Sequence, residues 1–551
     1  MTVPVSKRSA FDDLAATFRW HLPPRLNMGV DVSDRWAAID PGRPAIISHG
    51  GGPEPEIVTF GMLSAQSNRL ANALRAYGVE RGDRVAILLP QSVEAAVSHI
   101  AVYKLGAVAL PLSILFGIDA LEYRLRRSQA KVIVTVVHSA DRITALRDRC
   151  PDLHTVITVD GPAPGALAYG QLLARASDRL VAEATGPRDP ALMIFTSGTT
   201  GMPKPALHGH SVLAGHLPGI NLAQETLGRA GDIMWTPADW AWAGGLLNAM
   251  LPALHAGVPV LAHRFEKFDP ELAFDLMSRH AVTNAFLPPT AIKLMRQVEG
   301  VRSRFSLCLR AIGSAGESLG REAYEWSKAE LGLSVNEFYG QTECNAVIGS
   351  AHALGVGRAG SMGCAIPGHR VAVIDQDGQP VAPGVIGQIA VRRPDPVMFL
   401  GYAGDPAATD EKFIGDWMTT GDSGVMDEEG IFTFVGRDDD VITSAGYRIG
   451  PGEIEDCLLS HPAVQLAVAV GKPDPVRTEI VKAYVKLKPG FRSDPEVEAS
   501  IKAHVKGRLS GHEYPREVAF VPEIPMTTTG KLIRRGFRDL AKAEAERAVN
   551  A

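Results

Sequence analysis

The chain has 551 residues, 46% of them hydrophobic and 21% charged, with a formal net charge of -5. Such a composition is that of an ordinary globular protein with room for several cores, about three or four domain-sized units by length. The slightly acidic balance excludes nucleic-acid or anionic-membrane binding through bulk charge, leaving only a local basic patch as a route to such partners. Five cysteines, Cys150, Cys308, Cys344, Cys364 and Cys457, show no CxxC or metal-like spacing and read as free thiols in a reducing compartment. The N-terminal stretch has neither a signal-peptide core nor an Arg-rich transit character, so the expected location is the cytoplasm.

From Arg84 onward, apolar strands alternate with amphipathic helices: "RVAILLP", "SVEAAVSHIAVYKLG", "AVALPL", "ALEYRLRRSQA" and "KVIVTV". This predicts a parallel sheet with helices on both faces. The apolar run from Val85 to Phe116 is broken by Pro90, Glu94, His99 and Lys104, so it is a buried strand-helix-strand and no membrane span. A second alternation starts near Ile194 and continues through "GVPVLA", "PELAFDLMSRH", "VTNAFLP", "LRAIGSAG" and "REAYEWSKAELG" to "SVNEFYG". After about Gly357 short strands with turn signals predict a small β unit, with Asp377-Gly378 as a hairpin turn. The acidic "GRDDDV" then precedes a compact mixed segment whose helix opens with Pro451, and a domain boundary is expected within Asp438 to Asp440. The predicted architecture is α/β: residues 1–438 form two α/β subdomains plus a small β subdomain, and residues 439–551 form a small mobile α+β domain.

The stretch "TSGTTGMPK", Thr196 to Lys204, follows the strand-like "ALMIF" and fails the P-loop spacing, because Gly198 and Gly201 stand where GxxxxGK does not fit and Pro205 follows the lysine. A Walker-type NTPase is thereby excluded. Gly198 and Gly201 allow close backbone approach to phosphate oxygens, Thr196, Ser197, Thr199 and Thr200 add hydroxyls, and Lys204 adds a point charge. Taken alone, the stretch reads equally well as a polar turn between a strand and a helix.

Together with "YGQTE" (Tyr339 to Glu343), "TGD" and "GRDDDVITSAGYRIGPGEIE" (Thr420 to Glu455), and "PMTTTGK" (Pro525 to Lys531), that loop makes the chain resemble the adenylate-forming enzymes, in particular acyl-CoA synthetases of the medium-chain type. The resemblance runs from about Val30 to Arg535. It implies an ATP-dependent carboxylate:CoA ligase, in which a carboxylate attacks the α-phosphorus of ATP to give acyl-AMP and pyrophosphate, and a CoA thiol then displaces AMP. Phosphoryl chemistry of this kind rests on positioning and charge neutralisation.

By this resemblance Thr196 to Lys204 hold the β- and γ-phosphates, Thr342 reaches the α-phosphate and Glu343 helps hold Mg²⁺. Asp422 and Arg437 bind the ribose hydroxyls. Gly316 and Glu317 line the adenine, while Glu337, Phe338, Tyr339 and Gly340 cover its other side, with Tyr339 stacking on the base, and Gln341 is a further ATP/AMP contact. Lys531 is the mobile cation of acyl-AMP formation, and Asp439 the hinge on which the C-terminal domain turns between half-reactions. Ala445, Gly446 and Tyr447 border the pantetheine tunnel, and Arg477, Tyr514 and Arg516 meet the nucleotide end of CoA. Trp242, Ala243, Gly244, Gly340 and Arg448 are assigned to the acyl pocket, with Gly245 beside them. Gly340 stands where acetate-specific relatives carry tryptophan, so the expected substrate is a monocarboxylic acid longer or bulkier than acetate, about four to eight carbons or a compact ring. Two other readings remain at this point: an acyl-AMP ligase loading a separate carrier protein, and a noncatalytic nucleotide-binding relative.

Overall fold

The computed structural model describes residues 7–49, 54–196, 202–437, 440–444, 447–474, 477–509, 513–526 and 532–549, with backbone only at residues 7, 443, 447, 448, 453, 548 and 549. The first alternation builds a sheet of eight strands among the described residues, with Arg84–Leu88 flanked by parallel Val108–Pro111 and Val132–Thr135. These strands are continuous apolar runs because both of their faces are covered. The intervening helix Val93–Lys104 begins where the Ser92 side chain accepts from Ala95 N–H, and the turn after it passes through Gly106 at φ +61°.

The second alternation forms a sheet of nine strands among the described residues, in which Asn284–Phe286, Ala311–Ser314 and Asn336–Tyr339 run parallel as neighbours. Helix Ser211–Ala223, apolar on most sides and buried over much of its length, packs on the last two of these strands. One core cluster runs through both sheets and into the β subdomain, from Val85 and Ile194 to Phe338, Val373 and Met418. The carboxyl ends of Asn284–Phe286, Ala311–Ser314 and Asn336–Tyr339, as parallel neighbours, open on one rim of their sheet, where open α/β sheets place their ligands.

In the β subdomain, Val371–Ile374 pairs antiparallel with Gly387–Arg392, which pairs with the long strand Trp417–Met426. The predicted turn at Asp377-Gly378 is present: Asp375 accepts from Asp377 and Gln379 N–H, and Gly378 takes φ +77°. Beyond residue 440 the chain has separate cores, one built on Ile442, Ile454, Val468's neighbour Ala469, Val485, Ile501 and Val505. Its strands Val464–Asp474 and Thr478–Leu487 form a long antiparallel pair covered by helices Pro451–Leu459 and Arg535–Val549. Pro451 occupies the first turn of its helix as predicted. Among the described residues no helix is long and apolar enough to cross a membrane.

Candidate active site

The loop that carries Thr196 and Lys204 joins two antiparallel strands, Pro190–Phe195 and Pro205–Gly209, and so belongs to a hairpin and not to a strand-to-helix turn. Thr196 closes it from both sides, its N–H donating to Lys204 O at 2.9 Å and its Oγ1 accepting from Lys204 N–H at 3.1 Å. Ser197, Gly198, Thr199, Thr200 and Gly201 lie outside the described residues. The returning strand pairs with Gly401–Tyr402, which brings the Lys204 ammonium over the Tyr402 ring, 5.2 Å from its centroid. The Tyr402 hydroxyl in turn donates to Glu343 Oε1, and the Glu343 carbonyl accepts from Phe399 N–H at 2.7 Å. Tyr402 thus links the phosphate loop to the "QTE" loop. Burial first, then Glu343, keeps its phenol protonated well above the usual range.

A second network centres on Asp422, which is 5% exposed. It faces Arg437 across the antiparallel strands Trp417–Met426 and Phe432–Arg437, with Arg437 Nη1 3.6 Å from Oδ1. Its Oδ2 accepts from the Tyr339 hydroxyl at 2.6 Å and from Gln341 Nε2 at 2.7 Å. Burial pushes the Asp422 carboxyl up, while Arg437, Tyr339 and Gln341 pull it back down. Lys412, opposite Thr419 at the start of the neighbouring hairpin, stands in the same field. Burial lowers its ammonium pKa, Glu343 and Asp422 raise it, and Arg437 and Lys204 lower it further. Three cations and two carboxylates therefore share one region, as a site for a triphosphate requires. No motif flagged Tyr402 or Lys412, since each is an isolated residue whose partners come from other strands.

Strand alternation divides the block assigned to adenine. Phe338 is 2% exposed and packs against Phe286 with ring centroids 5.9 Å apart, so only its backbone faces the nucleotide side. Glu337 lies on the opposite face, buried, where its Oε1 accepts from Leu319 N–H at 3.2 Å beneath the 316–320 segment. Burial pushes its carboxyl up to about 8. Gly316 takes φ +103°, and Glu317 accepts from Thr290 Oγ1 at 3.0 Å. Thr342 O lies 3.4 Å from Asn345 Nδ2 at the turn of the same loop.

On the acyl side, Trp242 precedes the one-turn helix Ala243–Gly245, which runs straight into a π-helical turn, Leu246–Met250. The Trp242 ring meets Phe116 edge-on at 5.6 Å, and the Arg124 guanidinium lies 4.0 Å over the other ring. A Cβ on Gly244 would sit 3.1 Å from Phe286, whereas one on Gly245 would meet Asp239 O at 2.5 Å. Gly340 needs correcting: a Cβ there would lie 2.3 Å from Ala346 N and 2.8 Å from Cys344 O. Its lack of a side chain is a backbone packing requirement of the 340–346 loop, which the expectation of an open pocket floor overlooked.

The C-terminal segment leans on this rim. Gly320 leaves no space for a Cβ beside Asp456, which would be 2.5 Å away, and Gly450 lies against Val435 O. Arg534 is bonded to Glu455, 2.9 and 2.5 Å, with Asp440 at 3.6 Å. Burial acts against its charge, but Glu455, Asp440 and Glu317 outweigh that and hold the guanidinium above its usual pKa. Lys531, Asp439, Ala445 and Gly446 lie outside the described residues; Tyr447 and Arg448 are described as backbone only, paired with Ser444 and Thr443. Tyr514 and Arg516 come together, the guanidinium 5.3 Å from the ring, and the Lys506 ammonium lies 5.5 Å from the same ring. Arg477 sits on a turn whose N–H donates to Asp474 at 2.9 Å.

The AMP-binding enzyme model matches residues 33–403 and the model of the AMP-binding enzyme C-terminal domain matches residues 453–531. The human mitochondrial acyl-coenzyme A synthetase ACSM4 is 35% identical, covering 94% of this chain and 91% of its own. An acyl-CoA synthetase from Brucella canis is 34% identical, with a TM-score of 0.75 over 97% of this chain and 99% of that one. The anthranilate CoA ligase AuaEII, solved with anthranoyl-AMP, is 27% identical, with a TM-score of 0.87 over 95% and 99% of the two chains.

Proposed function

The chain belongs to the AMP-binding enzymes and is an ATP-dependent acid:CoA ligase, and from that premise we propose how its residues divide the two half-reactions. Lys204 and the loop from Thr196 hold the outer phosphates, with Lys412 adding positive charge beside them. Asp422, oriented by Tyr339 and Gln341, accepts the ribose hydroxyls together with Arg437. Gly316 and Glu317 border the adenine, and Thr342 reaches the α-phosphate. The observation that carries this reading is the contact of Lys204 and Glu343 through the shared Tyr402, the pairing of Arg437 with Asp422, and the place of Lys412 in the field of all four charged groups.

Glu343 is the carboxylate to which we assign Mg²⁺. A single hard-oxygen donor fits an ion that keeps waters and takes its other ligands from phosphates; among the described residues there is no group of three or more His, Cys, Asp or Glu arranged for a metal. When bound, the ion offsets charge on the leaving pyrophosphate. Tyr402 fixes the carboxylate that would hold it.

Lys531 then stabilises the attacking carboxylate and α-phosphate, and Asp439 serves as the hinge between domains 1–438 and 439–551. The approach of Arg534 to Glu317 supports the adenylating pose. In the other pose Ala445, Gly446 and Tyr447 border the pantetheine, Arg448 approaches the acyl group, and Arg477, Tyr514 and Arg516, joined by Lys506, take the CoA phosphates. The acid is a medium-chain, branched or compact aromatic monocarboxylate seated by Trp242, Ala243 and Gly244, in fatty- or aromatic-acid activation. Free thiols at all five cysteines favour a reducing compartment such as the cytoplasm; the mammalian relatives carry a mitochondrial designation.

Pyrophosphate release across straight, branched and aromatic acids, followed by AMP release with and without CoA, tests this reading. AMP release should require CoA. Release that instead requires a carrier protein, or no acid-dependent pyrophosphate at all, would overturn it.

A further inference from the structure

Four residues beyond Gly244, the π-helical turn presents Asn248, a polar side chain only 7% exposed. Its amide does not point at random. Asn248 Oδ1 accepts from His216 Nε2, 2.5 Å away on helix Ser211–Ala223, which leaves Nδ2 as the free end of the amide. Nδ2 donates to no protein group among the described residues and is not sealed from solvent; it lies 4.0 Å from where a Gly244 Cβ would stand, a point that Phe286 approaches to 3.1 Å. Burial pushes the His216 imidazole down to about 4, so the ring stays neutral at working pH and keeps one N–H for Asn248. The second nitrogen, Nδ1, has no partner either. A donor with no protein partner, on a residue only 7% exposed and beside a glycine wall, is placed to meet an acceptor on a bound molecule.

We infer that Asn248, positioned by His216, is a specificity contact for the tail of the acid, and that the enzyme takes carboxylic acids bearing a hydrogen-bond acceptor, a hydroxyl, keto or ether oxygen or a ring nitrogen, on the part of the tail that reaches Gly244. This rests on the acyl pocket being bounded by Trp242, Ala243 and Gly244. A π-helical turn is a common way to re-aim one side chain at a ligand. Sites that hydrogen-bond a substrate group discriminate against analogues lacking it far more sharply than pocket size alone allows.

The test pairs acids that differ in one oxygen: hexanoate with 5-oxohexanoate and 5-hydroxyhexanoate, and benzoate with its 2-, 3- and 4-hydroxy and methoxy derivatives. In the wild type, at least one oxygen-bearing acid should exceed its parent in kcat/KM by about tenfold or more. Asn248→Leu should bring that ratio to about one or invert it, and His216→Phe should lower the ratio through KM for the oxygenated acid without raising KM for ATP. If Asn248→Leu does not fold, Asn248→Ala, which removes the donor without adding apolar bulk, carries the same comparison. A wild type that never favours the oxygenated partner, or a ratio unmoved by Asn248→Leu, overturns the inference. Gly244→Leu separates the two levels: loss of activity on every acid larger than propionate with an unmoved Asn248 ratio leaves the pocket standing and removes the contact. No effect of Gly244→Leu on any acid removes the pocket itself.

Discussion

The two regions to which we assign the nucleotide and the acyl group are built on different physics. Around Asp422 and Glu343, carboxylate, amide and hydroxyl groups fix one another through short directional bonds. Around Gly244, aromatic rings, glycines and one amide define a space by shape, and many side chains could satisfy that shape.

That contrast predicts where substitutions separate the two half-reactions from the choice of acid. The largest effect should come from Lys531→Ala, which we expect to slow acyl-AMP formation by about 10² or more while leaving conversion of supplied acyl-AMP to acyl-CoA mostly intact. Single-turnover measurement of each half-reaction decides it. Equal damage to both would mean that the lysine is not confined to the first pose.

Next comes Tyr402→Phe, which removes the hydroxyl that holds Glu343 and keeps the ring under Lys204. A loss of roughly tenfold in kcat/KM, the same for every acid, is expected from one charge-assisted hydrogen bond. The shift should appear in the Mg²⁺ concentration needed for half-maximal rate. An acid-dependent loss would place Tyr402 on the acyl side instead.

Gly340→Ala sharpens the comparison from the other direction. With a Cβ 2.3 Å from Ala346 N, the 340–346 loop must shift, and it carries Gln341, Thr342 and Glu343. We expect a stability loss of about 1–3 kcal/mol by overpacking, with kcat/KM reduced alike for short and long acids. Selective loss on long acids alone would restore Gly340 to the pocket floor.

Legibility in the sequence followed the same division. Thr196, Lys204, Tyr339, Gln341, Glu343, Asp422 and Arg437 stand in short stretches with local chemical logic, and the structure links them through Tyr402 and Asp422. The parallel strands and the small C-terminal α+β unit were likewise readable from apolar periodicity and turn residues. Tyr402, Lys412, Phe116, Asn248 and His216 were not, because they meet their partners only through the fold: Asn248 and His216 are separated by a strand and most of a helix. Phe338 and Glu337 were taken as one block with Tyr339, although alternation along a strand sends Phe338 to the opposite face. Gly340 went astray for a further reason, since close backbone approach and pocket width both call for glycine.

The smallest predicted effect uses Glu337, buried beneath the 316–320 segment. Its folded-state carboxyl is pushed up to about 8 from its ordinary 4.5, first by burial, opposed by the Leu319 N–H, and then by Asp456. Below pH 4.5 the group is protonated whether the chain is folded or not, and it gives stability no slope. Between 4.5 and about 8 the unfolded chain has released its proton while the folded one keeps it, so the folded state binds more protons and stability falls as pH rises. Above about 8 both forms are ionised and the slope ends. Glu337→Gln keeps an acceptor for Leu319 without the titration. Thermal melts of both proteins should therefore show the variant gaining on the wild type from pH 5 to 8, by on the order of a few °C, and holding a constant lead beyond about 9. Asp456 comes from the C-terminal helix Pro451–Leu459, so Asp456→Asn should make the wild-type slope end at a lower pH. A melting difference that stays flat from pH 5 to 9 would mean that Glu337 is ionised throughout, and the adenine segment would then rest on a buried charge and not on a neutral acid.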